Sequence, residues 1–227
     1  LRIGRVMQIT SEKLDELLGR STRDLRNFTK RAQVSAWLAE LEEQHRFLLL
    51  LADPKDTQWT RLCVRTADHI LLFAESADPP VISSVERSLF QGERVCRTLA
   101  DTELVLLHPP STFLPKNTAS WLRPRQRLKL KVTSVHHVRK GTEIQEKRFW
   151  SRIARVLSQI AVGLVLGGGG ARGLAHQGVL EACRRMNIPV DFIGGTSQGS
   201  FMGALYATYL NAEAMRPSVE RFSRKMG

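Results

Sequence analysis

Cysteine is scarce in this chain. Its 227 residues contain three, Cys63, Cys96 and Cys183, odd in number and far apart. That excludes a dense disulfide framework and fits a reducing compartment. None has a second Cys or a His at metal-ligand spacing, so no metal site is expected, and all three read as small buried apolar side chains. Long apolar runs are missing too. The longest, 160–171, is short and glycine-rich, below the roughly 18 residues that a membrane-spanning helix needs. No signal-peptide pattern opens the chain. Acids are outnumbered, with 22 Asp/Glu against 34 Lys/Arg and a formal charge of +12. No Asp follows Asp191.

What is present begins with alternation. Residues 11–18 and 32–43 read as helices, the second with apolar residues at helical spacing. Residues 47–52 form a continuous apolar run suited to a buried parallel strand. A helix over 57–66, a strand over 69–74, a helix over 82–99 and a strand over 104–108 follow. Alternating β and α elements predict a parallel, doubly wound sheet. The fold class is therefore α/β, with a Rossmann-like module over 35–110 behind a helical segment, 1–34. The proline-rich stretch 109–116 reads as a linker, opening a basic linker and helix over 111–160. Asp53-Pro54-Lys55-Asp56 follows the first strand, where a phosphate-binding module would carry glycines, so this part shows no evident chemistry.

The chemistry lies further on. Residues 161–166 read as a short buried strand. Gly167-Gly168-Gly169-Gly170-Ala171-Arg172-Gly173 follows, then a helix over 174–183. Backbone N–H groups at a helix start lack intrahelical partners and point at any anion in front of them. Gly168-x-Gly170-x-x-Gly173 also fits a dinucleotide fingerprint, which wants an acid about 20 residues on, after the next strand. Here the next strand, 190–193, leads instead into Gly195-Thr196-Ser197-Gln198-Gly199. This is G-x-S-x-G, the pattern of a nucleophile elbow between a strand and a helix. The order strand, donor loop, helix, strand, serine, helix brings Ser197 beside the glycine loop at the carboxyl ends of neighbouring parallel strands. An oxyanion hole therefore explains the glycine run better than a nucleotide does. Helices over 200–210 and 215–226 complete this part.

The pair of motifs resembles the patatin-like phospholipase family. The wider stretch 162–210 looks like its neuropathy target esterase branch of lysophospholipases, and 59–73 is similar to a segment upstream of the catalytic domain there. The resemblance implies a three-layer α/β/α sandwich, of which residues 161–227 are the N-terminal portion. It implies a Ser-Asp dyad, with Ser197 as nucleophile and Gly168, Gly169, Gly170 and Arg172 as the oxyanion loop, flanked by the motif glycines Gly173, Gly195 and Gly199. It implies no cofactor and no metal, and a phospholipid or lysophospholipid substrate. It also implies membrane association at the cytoplasmic face of the endoplasmic reticulum. The family's Asp lies in an Asp-Gly-Gly or Asp-Gly-Ala motif well over 100 residues after the serine, and this chain stops at Gly227. The expectation is a serine esterase whose residues 1–227 are inactive alone; the alternative is a non-catalytic lipid- or protein-binding fragment or degenerate relative.

The charge bears on partners. Residues 121–155 hold eleven Lys/Arg and two Glu, a net of +9. Arg123, Arg125, Arg127, Lys129 and Lys131 alternate, which places them on one face of a strand. Lys147, Arg148, Arg152 and Arg155 fall on a helix over 143–159. A solvated face, an anionic membrane surface and nucleic acid compete. No zinc spacing or glycine-rich aromatic platform supports the last; next to a lipid-hydrolase motif the membrane surface is the expected partner. His136-His137 reads as an exposed doublet without a partner acid. His176 reads as bonding locally rather than as a base. Arg172 reads as a loop support, and Asp191 as a poor substitute for the dyad Asp.

Overall fold

The computed structural model describes residues 4–19, 25, 27–91 and 95–226. The chain divides into two compact units, 1–149 and 150–227. Among the described residues every strand pairing is parallel, as α/β alternation requires.

In the first unit β1 (Val6–Ile9) pairs with β2 (Phe47–Leu50). Helices α1 (Ser11–Leu18), α2 (Phe28–Gln44) and α3 (Gln58–Thr66) cover this pair. Ile9, Leu14, Val34, Leu38, Trp59 and Cys63 form the core between them. Each of these helices has a side-chain N-cap, from Thr10, Asn27 and Thr57, which satisfies N–H groups that a helix start leaves open.

A second sheet has the order β3 (His69–Glu75), β4 (Asp101–His108), β5 (Val132–Arg139). Its middle strand is buried along most of its length, which is why 104–107 is an unbroken apolar run. Helix α4 (Ser84–Phe90) starts with a capping box in which Ser83 and Glu86 bond reciprocally.

Several expectations are corrected here. Strand β1 went unread, because four residues at a chain end carry little pattern. The strand near 47 pairs with β1 and not with β3. The helix expected over 82–99 ends at Phe90; 92–94 lie outside the described residues, and 95–99 have no regular structure. Gly92, in the sequence just past Phe90, is a stop signal.

The alternating cations do not line a strand. Residues Thr118–Arg127 form helix α5. Trp121 and Arg125 sit one turn apart and both are buried, with the guanidinium 5.8 Å from the ring centroid. Arg125 makes a bidentate 2.8 Å pair with Glu86. That buried pair, rather than period-2 spacing, decides the conformation. The strand comes later, as β5, and pairs with β4 over seven residues. Residues 109–116 therefore connect β4 to α5 within the first unit.

The His doublet is also corrected. His136 is 1% exposed and bonds through Nε2 to Glu103, which also receives His69 Nδ1 at 3.0 Å. His137 Nδ1 bonds His108 Nε2 at 2.8 Å. The acids and partners come from neighbouring strands, invisible to a local reading.

Helix α6 (Glu143–Leu157) runs across the division between the units. The second unit then has β6 (Gly163–Leu166) paired with β7 (Phe192–Gly195), a 3-10 turn over Gly170–Ala175, and helices α7 (His176–Arg185), α8 (Gln198–Tyr209) and α9 (Ala212–Met226). Leu166, Leu180, Met202, Met215 and Val219 form its core.

Candidate active site

Strands β6 and β7 end level with each other, since Leu166 is the register partner of Gly195. The Thr196 N–H continues the ladder to the Leu166 carbonyl at 3.1 Å. Both chains then leave the sheet together, one into the glycine run and the other into Ser197. Adjacent carboxyl ends of parallel strands are where open α/β sheets build their sites.

Ser197 has φ 51° and ψ −124°, a positive-φ conformation uncommon for a residue with a Cβ. Such strain at a strand-to-helix turn is the geometry of a nucleophile elbow. Ser197 is solvent-exposed and immediately precedes α8. No described residue hydrogen-bonds its hydroxyl.

The glycines explain how the turn closes. A Cβ on Gly195 would lie 2.6 Å from the Gly199 carbonyl oxygen, and one on Gly199 would lie 2.6 Å from the Gly167 oxygen. A Cβ on Gly173 would meet Gln198 Cβ at 2.7 Å. The start of α8 is thus pressed onto the end of β6 and onto the 3-10 turn, too closely for any side chain. Gly168 lies against the nucleophile candidate: an added Cβ would be 3.3 Å from Ser197 Cβ. Gly170 has φ +55°, which glycine adopts without strain.

The N–H groups of Gly168 and Gly169 have no acceptor among the described residues, so they are free to serve a ligand. The Gly169 carbonyl instead accepts from the Arg172 N–H at 3.2 Å, closing the loop. Arg172 contributes here through its backbone. Its side chain is exposed. His176 bonds locally, as expected, through Nε2 to the Gly167 oxygen at 2.8 Å.

These features fall within two adjoining family matches. Residues 1–166 match the Neuropathy Target Esterase family P-loop like domain, and 164–226 match the patatin-like phospholipase domain. The chain belongs to the neuropathy target esterase family. It is 36% identical over 99% of its length to the mouse (Mus musculus) protein named patatin-like phospholipase domain-containing protein 6. It is 34% identical over 86% of its length to a lysophospholipase NTE1 of Yarrowia lipolytica, and 35% over 99% to the neuropathy target esterase sws of Drosophila grimshawi. The chain spans 16–17% of the length of these relatives. No solved structure matches it significantly.

Within this family frame the other tempting residues find structural jobs. Arg155 grips the Asp191 carboxylate with Nε at 2.8 Å and Nη2 at 2.7 Å, and the Val162 N–H adds a 3.0 Å bond. Burial pushes the Asp191 carboxyl up, but the bonds from Arg155 and Val162 outweigh it and hold the group below the usual carboxylate range. Asp191 therefore ties α6 to the starts of both strands, away from Ser197. Its role was not legible, because Arg155 lies 36 residues upstream. Gln198 was also missed: its side chain is buried against Gly173. The close glycine-to-glycine spacing was the only hint.

Proposed function

We propose that the chain carries the nucleophile and oxyanion loop of a serine esterase acting on phospholipids or lysophospholipids. The observation that carries this reading is the placement of Gly168 against Ser197, 3.3 Å from Ser197 Cβ to a Cβ built on the glycine. In this reading the Ser197 hydroxyl loses its proton to a base as Oγ bonds to the ester carbonyl carbon. The N–H groups of Gly168, Gly169 and Gly170 receive the negative charge on the carbonyl oxygen, and Arg172 keeps the loop closed. The adduct expels the glycerol oxygen, which takes a proton, and leaves the acyl group on Ser197. Water then cleaves that ester to free fatty acid and serine.

The base implied by the family resemblance is an Asp beyond residue 227. Asp191 does not replace it, because Arg155 holds it. A polypeptide of residues 1–227 alone is therefore expected to be inactive, since an unactivated serine is a weak nucleophile. The test uses the longer parent protein. Ser197→Ala should reduce lysophospholipid hydrolysis to background; retained hydrolysis overturns the assignment. The second reading is a lipid-binding module without turnover, and binding without hydrolysis by the parent would establish it.

A lipid substrate also gives the basic surface a use. Arg123, Arg127, Lys129, Lys131, Lys147 and Arg148 are exposed, and each cation near an anionic bilayer contributes about 1 kcal/mol. We place the protein at the cytoplasmic face of the endoplasmic reticulum on the family resemblance. No described helix is long and apolar enough to cross a membrane. Stronger binding to anionic than to neutral vesicles is expected; equal binding to both overturns the membrane reading.

A further inference from the structure

His176 opens α7, and its Nε2 stands 2.8 Å from the Gly167 carbonyl oxygen. A carbonyl oxygen only accepts, so Nε2 carries the proton and donates. The peptide joining Gly167 to Gly168 is trans. In a trans peptide the C=O and the following N–H point in opposite directions, so fixing the Gly167 oxygen fixes the Gly168 N–H. That N–H has no acceptor in the described chain, and Gly168 is the residue packed against Ser197. The Gly167 oxygen accepts no other hydrogen bond from a described residue. With glycine on both sides, the peptide plane meets little steric resistance to rotation.

We infer that His176 is a positioning residue: by holding the Gly167 carbonyl it aims the Gly168 N–H at the oxyanion. The inference rests on the esterase reading of Ser197. It separates His176 from a general base, because its Nε2 proton is committed to a backbone carbonyl. It also explains why an imidazole stands at the first position of α7. Nε2 reaches back over the 3-10 turn to the first residue after β6.

The test compares the full-length parent as wild type, His176→Ala, His176→Gln and Ser197→Ala on a lysophospholipid, with kcat and KM measured separately across pH. A donor that meets charge developing only in the transition state moves kcat and not KM, so His176→Ala should lower kcat about 10- to 100-fold with KM within about threefold. The Gln side-chain amide places a donor near the Nε2 position, so His176→Gln should stay within about threefold of wild type and keep its pH profile. A kcat for His176→Ala within twofold of wild type overturns the inference, as does a Gln variant as impaired as Ala. If the wild type shows no Ser197-dependent hydrolysis, the esterase reading has failed. Crystal structures of the variants then decide the positioning role. A Gly167–Gly168 peptide rotated in His176→Ala and restored in His176→Gln supports it, and an unrotated peptide in His176→Ala overturns it.

Discussion

Gly199 and Gly167 meet backbone to backbone: a Cβ on Gly199 would stand 2.6 Å from the Gly167 carbonyl oxygen. The Leu166 carbonyl carbon at the end of β6 would be equally near, at 2.6 Å, and it is fixed by the Thr196 N–H on its oxygen, so it cannot swing aside as a side chain would. Gly199→Ala should therefore push α8 off the sheet and displace Ser197. Overpacking of this kind costs about 3 kcal/mol. A urea-unfolding midpoint shift of that size, with loss of parent activity, is the expected result. Gly178, with open space where its Cβ would lie, is the control, and Gly178→Ala should be neutral or stabilising in the helix.

The Asp191 carboxylate gives the second unit a pH dependence of known sign. Its carboxyl is held below the usual range in the folded chain. Its stabilisation is therefore complete above the unfolded carboxylate value of about 3.9 and is lost as pH falls through the lower folded value. Arg155→Ala leaves a buried carboxylate unpaired and should cost about 3 kcal/mol at pH 7. Denaturant midpoints from pH 7 down to pH 2 should fall for the wild type below about pH 4. The Asp191→Asn curve should be flatter there; an unchanged slope would show that this pair does not set it.

How much of this was legible follows from where the deciding contacts lie. The placement of the glycine run beside Ser197 was readable because both stretches are local: each sits within seven residues, and one strand–helix–strand unit joins them. The helix over 57–66 was readable as well, and Thr57 caps it through the Thr60 N–H. The basic segment misled because its deciding partner, Glu86, lies 39 residues before Arg125. Alternating Arg and Lys fit a strand face locally, but one buried ion pair and Trp121 selected the helix. His136 likewise depended on Glu103, 33 residues away and diagonal to it across β4 and β5. Long-range polar pairing overrode local period in each case.

The Arg125–Glu86 pair should show the asymmetry of a buried charge. Both side chains are nearly inaccessible, at 2% and 9%. Arg125→Ala strands the Glu86 carboxylate, so about 3 kcal/mol or more should be lost. The double variant Glu86→Leu, Arg125→Met should recover most of that, since it leaves no uncompensated charge. A double-mutant cycle by urea unfolding measures this, and additive losses would count against the pair.

Cys63 should resist modification while the chain is folded. Burial, with the Asp53 charge adding to it, pushes its thiol up to about 12. Only the thiolate reacts, so at pH 8 its reactive fraction is about a thousandfold below that of a free cysteine. Iodoacetamide under native conditions should label the half-buried Cys183 well before Cys63, and urea should abolish the difference. Rapid native labelling of Cys63 would contradict its place in the core.

The loop after β2 should not bind nucleotide phosphates, although the unit around it matches a P-loop like domain. A phosphate cradle needs several free N–H groups converging on an anion, and glycines that let the anion approach. Here Pro54 removes one donor outright. The space before α3 is claimed by the chain's own acids. Asp53 accepts from Ser11 Oγ at 2.7 Å and Thr57 Oγ1 at 2.6 Å. Asp56 accepts from Arg61 at 2.6 Å and from Ser88. Burial pushes the Asp56 carboxyl up, yet the Arg61 and Ser88 bonds hold it low, so it is charged at neutral pH and repels a phosphate. Thr57, which in a phosphate loop would face a metal–nucleotide, spends its oxygen on the Thr60 N–H and its proton on Asp53. Millimolar ATP with magnesium should leave the melting temperature unchanged. A ligand at 100 times its Kd stabilises by about 2.7 kcal/mol, which shifts a domain of this size by several degrees. A rise of that order, lost on Lys55→Ala, would mean that Asp53 yields to phosphate and that the loop is a working anion site.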